Sequence, residues 1–94
     1  MQIERIEDGL ALHGELDAAT GPELDIALLE TRGLVVLDLS GITFMDSGGI
    51  NALLRARALL GREDRMLALA RPSTPVRRTL ETAGIADLFA PSRR

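Results

Sequence analysis

The chain has 94 residues, a formal net charge of −3, one histidine, and no cysteine, lysine, tryptophan or tyrosine. Without cysteine there are no disulfides and no thiolate metal sites. Without lysine there is no Schiff base and no P-loop phosphate grip, and with two phenylalanines as the only aromatic residues there is no platform on which nucleic-acid bases could stack. This length fits one compact domain over residues 1–94, with a single core that needs no covalent staples. No apolar run approaches the ~20 residues that span a bilayer. The start, MQIERIEDG, has no basic segment followed by an apolar one, so the reading is a cytoplasmic chain without direct membrane contact. The charge is polarised: residues 1–47 hold ten acids and two arginines (−8), and residues 48–94 hold four acids and nine arginines (+5), which sum to −3.

In chain order, Ile3 and Ile6 mark a short edge strand. Asp8-Gly9 then signals a hairpin into a second strand, with Leu10, Leu12 and Gly14 on one face and Ala11 and His13 on the other. The lone His13 at the end of an apolar stretch reads as structural. Thr20 and Glu23 have capping-box spacing, and Pro22 sits in the first turn of a helix. Leu24, Ala27, Leu28 and Thr31 carry that helix to a stop at Gly33. Leu34-Val35-Val36-Leu37 is a continuous apolar run, as in a strand covered on both faces. It is expected to continue through Ser40 into a Gly41–Met45 connection.

A helix is expected from Ser47 to Leu60, with Ile50, Leu53, Leu54 and Leu60 apolar and Arg57 extending its charge outward. Met66–Ala70 is another short strand. Pro72-Ser73-Thr74-Pro75 starts a helix with Val76, Leu80 and Ala83 on one side, closed by Gly84. Ile85, Leu88 and Phe89 form an apolar tail. The order β-β-α-β-α-β-α predicts an α/β fold, a small mixed sheet of about four strands with helices packed on it. Functional groups in such sheets gather beyond the carboxyl ends of the strands, which is where Asp46-Ser47-Gly48-Gly49 falls.

That turn lacks the parts of an enzyme. Ser47 has no G-x-S-x-G elbow around it, the one histidine lies on an early strand, and no complete catalytic, metal or cofactor set exists. Two readings remain open. In the first, Asp46 or Ser47 caps the helix and the glycines let the chain turn. In the second, Ser47 is a phosphate acceptor, because a helix N-terminus tolerates the anion without unfolding. A phosphate would add a charge of about −1.5 to −2 beside Asp46 and change any surface docked there. Ser47, Asn51 and Arg55, spaced by four, share one helix face that Ala58 and Arg62 continue. Arg55 lies about 12 Å along the axis from Ser47, which suits a partner contact better than a clamp on Ser47.

LVVLDLSGITFMDSGGINALLRAR, residues 34–57, resembles the central motif of STAS domains, most closely the bacterial anti-sigma factor antagonists. GELDAAT, residues 14–20, resembles the family's earlier loop, and PSTPVRRTLETAGI its later helix. The resemblance implies a small mixed sheet with helices. It also implies that Ser47 is phosphorylated by a partner that is both anti-sigma factor and serine kinase. The unphosphorylated form would bind that partner and free a sigma factor, and a PP2C-type phosphatase would reverse the modification. ATP and Mg²⁺ would belong to the kinase, and this chain would hold no cofactor. Asp17 and Asp46 match positions beside the acceptor, so the implied docking surface comprises Asp17, Asp46, Ser47, Gly48, Asn51 and Arg55. Homo-oligomerisation stays open. Gly48 departs from the second Ser or Thr of many members. The D-S-G-G turn is also similar to STAS subunits of lipid-transport ABC complexes, in which the domain sits on the ATPase.

Overall fold

The computed structural model describes residues 1–90. Four strands form one mixed sheet in the spatial order β1-β2-β3-β4: β1 (Gln2–Ile6), β2 (Gly9–Leu16), β3 (Val35–Met45) and β4 (Leu67–Ala70). β1 is antiparallel to β2 through a two-residue turn at Glu7-Asp8, so Gly9 opens β2 instead of sitting in the turn. β2–β3 and β3–β4 are parallel. Their crossovers carry α1 (Gly21–Leu28) and α2 (Ser47–Gly61); α3 (Thr74–Ala83) and a 3₁₀ turn (Ala86–Leu88) follow β4.

The core joins Leu10, Leu12 and Leu16 of β2 to Leu37, Leu39 and Ile42 of β3. Leu24 and Leu28 of α1, Leu53 and Leu60 of α2, and Val76 and Leu80 of α3 close over them, as does Phe89. All three helices therefore share the core on one face of the sheet. The other face carries small side chains, with Val36, Ala68 and Ala70 forming a separate buried cluster. Ala90 bridges to Ala68 in parallel and caps part of the β4 edge, its N–H donating to the Leu67 carbonyl at 2.8 Å.

Four expectations need correction. Gly41–Met45 is strand, not connection, because β3 runs to Met45. Register shifts opposite Ala11/His13 and Gly14/Glu15 place extra residues in β3. They break the two-residue alternation, so Leu39, Ile42 and Met45 all turn into the core at three-residue spacing. Second, α1 ends at Leu28, and Leu29, Glu30 and Thr31 close back by i→i−3 bonds before Gly33 is reached. Third, Leu34 and Met66 precede their strands and are exposed, as is Leu88 in the tail. Fourth, Ala83 is exposed, so the inward side of α3 is Val76 and Leu80 alone.

Candidate functional site

The site is the end of the sheet where β2 and β3 stop and α1 and α2 begin. β3 delivers Asp46 in extended conformation (φ −128°, ψ −165°), and α2 starts at Ser47. The Asp46 carboxylate Oδ1 accepts from the Gly49 N–H at 3.1 Å, and the Asp46 carbonyl accepts the Ile50 N–H at 3.0 Å. Asp46 is thus the N-cap, and satisfies one of the donors that every helix start leaves unpaired. The two readings of this turn separate here. Ser47 is the first helical residue, it is exposed, and among the described residues its hydroxyl makes no hydrogen bond.

The cap carries a testable cost. Asp46→Ala is expected to lower stability by about 1 kcal/mol, read as a shift of the urea midpoint at constant slope. Asp46→Asn, which keeps an acceptor in place, is expected to recover most of it.

Both glycines of the turn are required by close approach. A Cβ on Gly49 would collide with the Leu16 carbonyl oxygen at the end of β2. A Cβ on Gly48 would stand 2.6 Å from the Ala18 nitrogen and 3.1 Å from the Ala18 Cβ. The 14–20 loop therefore rests directly on the D-S-G-G turn, and the missing second hydroxyl at position 48 has a local reason: the loop occupies its space.

Asp17 builds that loop. Its Oδ1 accepts the N–H groups of Ala19 and Thr20, each at 3.0 Å, and lies 3.1 Å from the Thr20 hydroxyl. The Thr20 hydroxyl reaches the Glu15 carbonyl at 2.8 Å and accepts the Asp17 N–H at 3.0 Å. The backbone hydrogen bond from Thr20 chiefly holds the Asp17 carboxyl below its ordinary pKa; desolvation opposes it, and the Thr20 hydroxyl and Ala19 N–H add to it. The capping box expected of Thr20 and Glu23 does not form. Thr20 makes no side-chain cap, being committed to the loop, and Glu23 instead lies 4.0 Å from the amino group of Met1.

Along α2, Asn51 and Arg55 are exposed on the side of Ser47, as are Ala58 and Arg62. Arg55 Nε donates to Asp25 Oδ2 of α1 at 2.8 Å, so this cation is already paired within the chain. The spacing of α2 alone could not show Asp25, which lies thirty residues away. Asp46, Ser47 and Gly48 form one turn, the loop of Asp17 meets it through Ala18, and Asn51 and Arg55 extend the surface along α2. On the other flank lies a shallow hollow of about 310 Å³, lined by Met45, Asp46, Ile50, Arg78, Thr79 and Thr82. The Thr79 hydroxyl lies 3.2 Å from the Met45 carbonyl and ties α3 to the last residue of β3. The sequence reading missed this flank. Its one signal was the spacing of Arg78 and Thr82, which puts both on one face of α3.

Among the described residues the one histidine does not stand beside Ser47. His13 pairs in register with Gly41, about 13 Å of strand short of Met45. Its Nε2 lies 3.5 Å from the Glu4 carboxylate. Among the described residues no cluster of three histidine or acidic side chains could hold a metal ion, and no helix is long and apolar enough to cross a membrane.

A mixed four-stranded sheet, helices on one face and a capped D-S-G-G turn at its carboxyl end define a small α/β domain. Residues 1–90 match the family described as "Mlab, STAS domain", and the chain belongs to this STAS family. No curated protein matches the chain. Among solved structures it is similar to the unphosphorylated form of the anti-sigma factor antagonist SpoIIAA, with a TM-score of 0.71 and 21% identity over 99% of this chain and 88% of that one. It is also similar to the STAS domain of a SulP transporter from Vibrio cholerae, with a TM-score of 0.68 and 24% identity over 85% of this chain and 65% of that one. At these identities the two structures bear on the fold alone.

Proposed function

We propose that this chain is an anti-sigma factor antagonist: a non-enzymatic domain whose unphosphorylated form binds an anti-sigma factor serine kinase and releases a sigma factor. Phosphorylation of Ser47 ends the binding, and a phosphatase restores it. The observation that carries this reading is the division of labour at the start of α2. Asp46 does the capping, which leaves the Ser47 hydroxyl exposed and unengaged. A phosphate there would meet the positive end of a fifteen-residue helix, so the fold would hold. It would also place new charge against Asp46 and the Asp17 loop, so the docking surface would change. Asp17, Asp46, Gly48, Asn51 and Arg55 are assigned to that surface.

The test is phosphopeptide mapping of the chain isolated from its own cells. The expected result is phosphate on Ser47, with amounts that change with growth condition. Ser47 that carries no phosphate in any condition would favour the second reading, a constitutive scaffold subunit on the ATPase of a lipid-transport ABC complex. The naming of Mlab in the family description is the observation that favours this second reading.

A further inference from the structure

Apart from Asp46, the flank between α2 and α3 has no part in the docking surface assigned above. Its hollow of about 310 Å³ has Met45, Asp46 and Ile50 on one side and Arg78, Thr79 and Thr82 on the other. Asp46 immediately precedes Ser47, and Ile50 stands one helical turn after it, where side chains three apart are neighbours. Ser47 therefore stands at the lip of this hollow. The α3 side is held in place: the Thr79 hydroxyl lies 3.2 Å from the Met45 carbonyl and 2.8 Å from the Pro75 carbonyl. Arg78 adjoins Thr79 in sequence, and Thr82 follows Arg78 by four residues, so both project from one side of α3.

The cations near this turn are not equivalent. Arg55 is paired with Asp25 at 2.8 Å, and Arg71 lies 3.8 Å from Asp38. Arg78 is exposed and, among the described residues, makes no hydrogen bond or ion pair. The Thr82 hydroxyl is likewise unengaged. Arg78 is the one cation that lines the hollow, and Asp46 the one acid. A phosphate on Ser47 would bring a charge of about −1.5 to −2 against the Asp46 carboxylate, and that repulsion calls for a counter-charge. The Arg78 guanidinium is free to swing across the hollow. Its planar fork of N–H donors takes a phosphate bidentately, which the point charge of an ammonium cannot do.

We propose that Arg78, assisted by the Thr82 hydroxyl, is an intramolecular clamp for the phosphate of phosphorylated Ser47. The inference deepens the reading of Ser47 as a phosphorylated switch and rests on it. Phosphorylation then acts twice on the surface: it adds charge at the turn, and it draws Arg78 over Met45 and Ile50, which closes the hollow to a partner.

The test is a phosphorus NMR titration of the full chain in which phosphoserine is incorporated at Ser47 during synthesis, with no kinase involved. A nearby cation favours the doubly charged phosphate, so its second ionisation is expected below the ~6 of an ordinary phosphoserine. Arg78→Gln should raise that midpoint by at least about half a pH unit, and Thr82→Val should raise it by less. Arg77→Gln removes the same charge from the neighbouring exposed position, which does not line the hollow, and should leave the midpoint nearly in place. Circular dichroism checks that each variant folds. A midpoint unchanged by Arg78→Gln overturns the clamp, as does one that Arg77→Gln moves as far. Either result stands whatever the phosphopeptide map of cells shows, whereas a Ser47 without phosphate in cells counts against the switch reading itself.

Discussion

Ser47→Asp is expected to weaken binding to the kinase partner at least about a hundredfold, or about 2.7 kcal/mol, without loss of fold. The two effects separate because the side chain has no internal role. Ser47 is exposed and does not cap α2. Aspartate in the first helical position is favoured by the helix dipole by about 0.3–1 kcal/mol, so the melting temperature should hold or rise slightly. Binding should fall because the same charge lies beside Asp46 and the Asp17 loop, where a docked partner would have to bury it. A carboxylate carries less charge than a phosphate, so phosphorylated Ser47 should bind more weakly still. Ser47→Ala should bind as well as the unmodified chain and be immune to the switch. Isothermal titration with the isolated partner, alongside thermal melts of the three proteins, separates affinity from stability.

Gly49→Ala is expected to be the most destabilising single methyl addition at the site, costing about 3 kcal/mol. The added carbon would be driven into the Leu16 carbonyl, and backbone cannot rotate away as a side-chain tip can. The collision would separate α2 from the ends of β2 and β3, which the buried Leu16, Met45 and Leu53 hold together. For a domain of this size a loss of about 3 kcal/mol corresponds to a fall of roughly 12–24 °C in melting temperature. Gly61→Ala is the matched control: it lies in the same helix with open space around it, and it should change stability little. A melt of Gly49→Ala within a few degrees of the unmodified chain would mean that α2 can shift outward, and that the turn is less tightly fixed than its contacts imply.

The order of elements was legible because most of them carried a strong local signal, the mixed stretch of β1 being the weakest. The apolar run before Asp38 marked the central strand, Pro75 and Gly84 bracketed α3, and Gly48-Gly49 marked the turn into α2. The second half of β3 was not legible. Its bulges convert the two-residue period of a strand into the three-residue spacing Leu39, Ile42, Met45, which resembles neither a regular strand nor a helix. Thr20 misled for another reason: capping-box spacing is local, whereas the Asp17 carboxylate and the Glu15 carbonyl compete for the same hydroxyl. At the site, Asp46, Ser47 and Gly48 were readable as one motif. Their contact with Ala18 and the α3 flank of Arg78, Thr79 and Thr82 depends on tertiary packing, which no local spacing encodes. Arg55 was read as facing a partner; its pairing with Asp25 means a partner must compete with α1 for it.

The most direct measurement uses tagged Ser47→Ala and Ser47→Asp chains as paired baits in lysate from the protein's own cells, with the captured proteins identified by mass spectrometry. The account expects the alanine bait to hold a soluble ATP-binding anti-sigma kinase that the aspartate bait does not. A transporter ATPase held equally by both baits would contradict it, and would make Ser47 a helix-start residue on a scaffold.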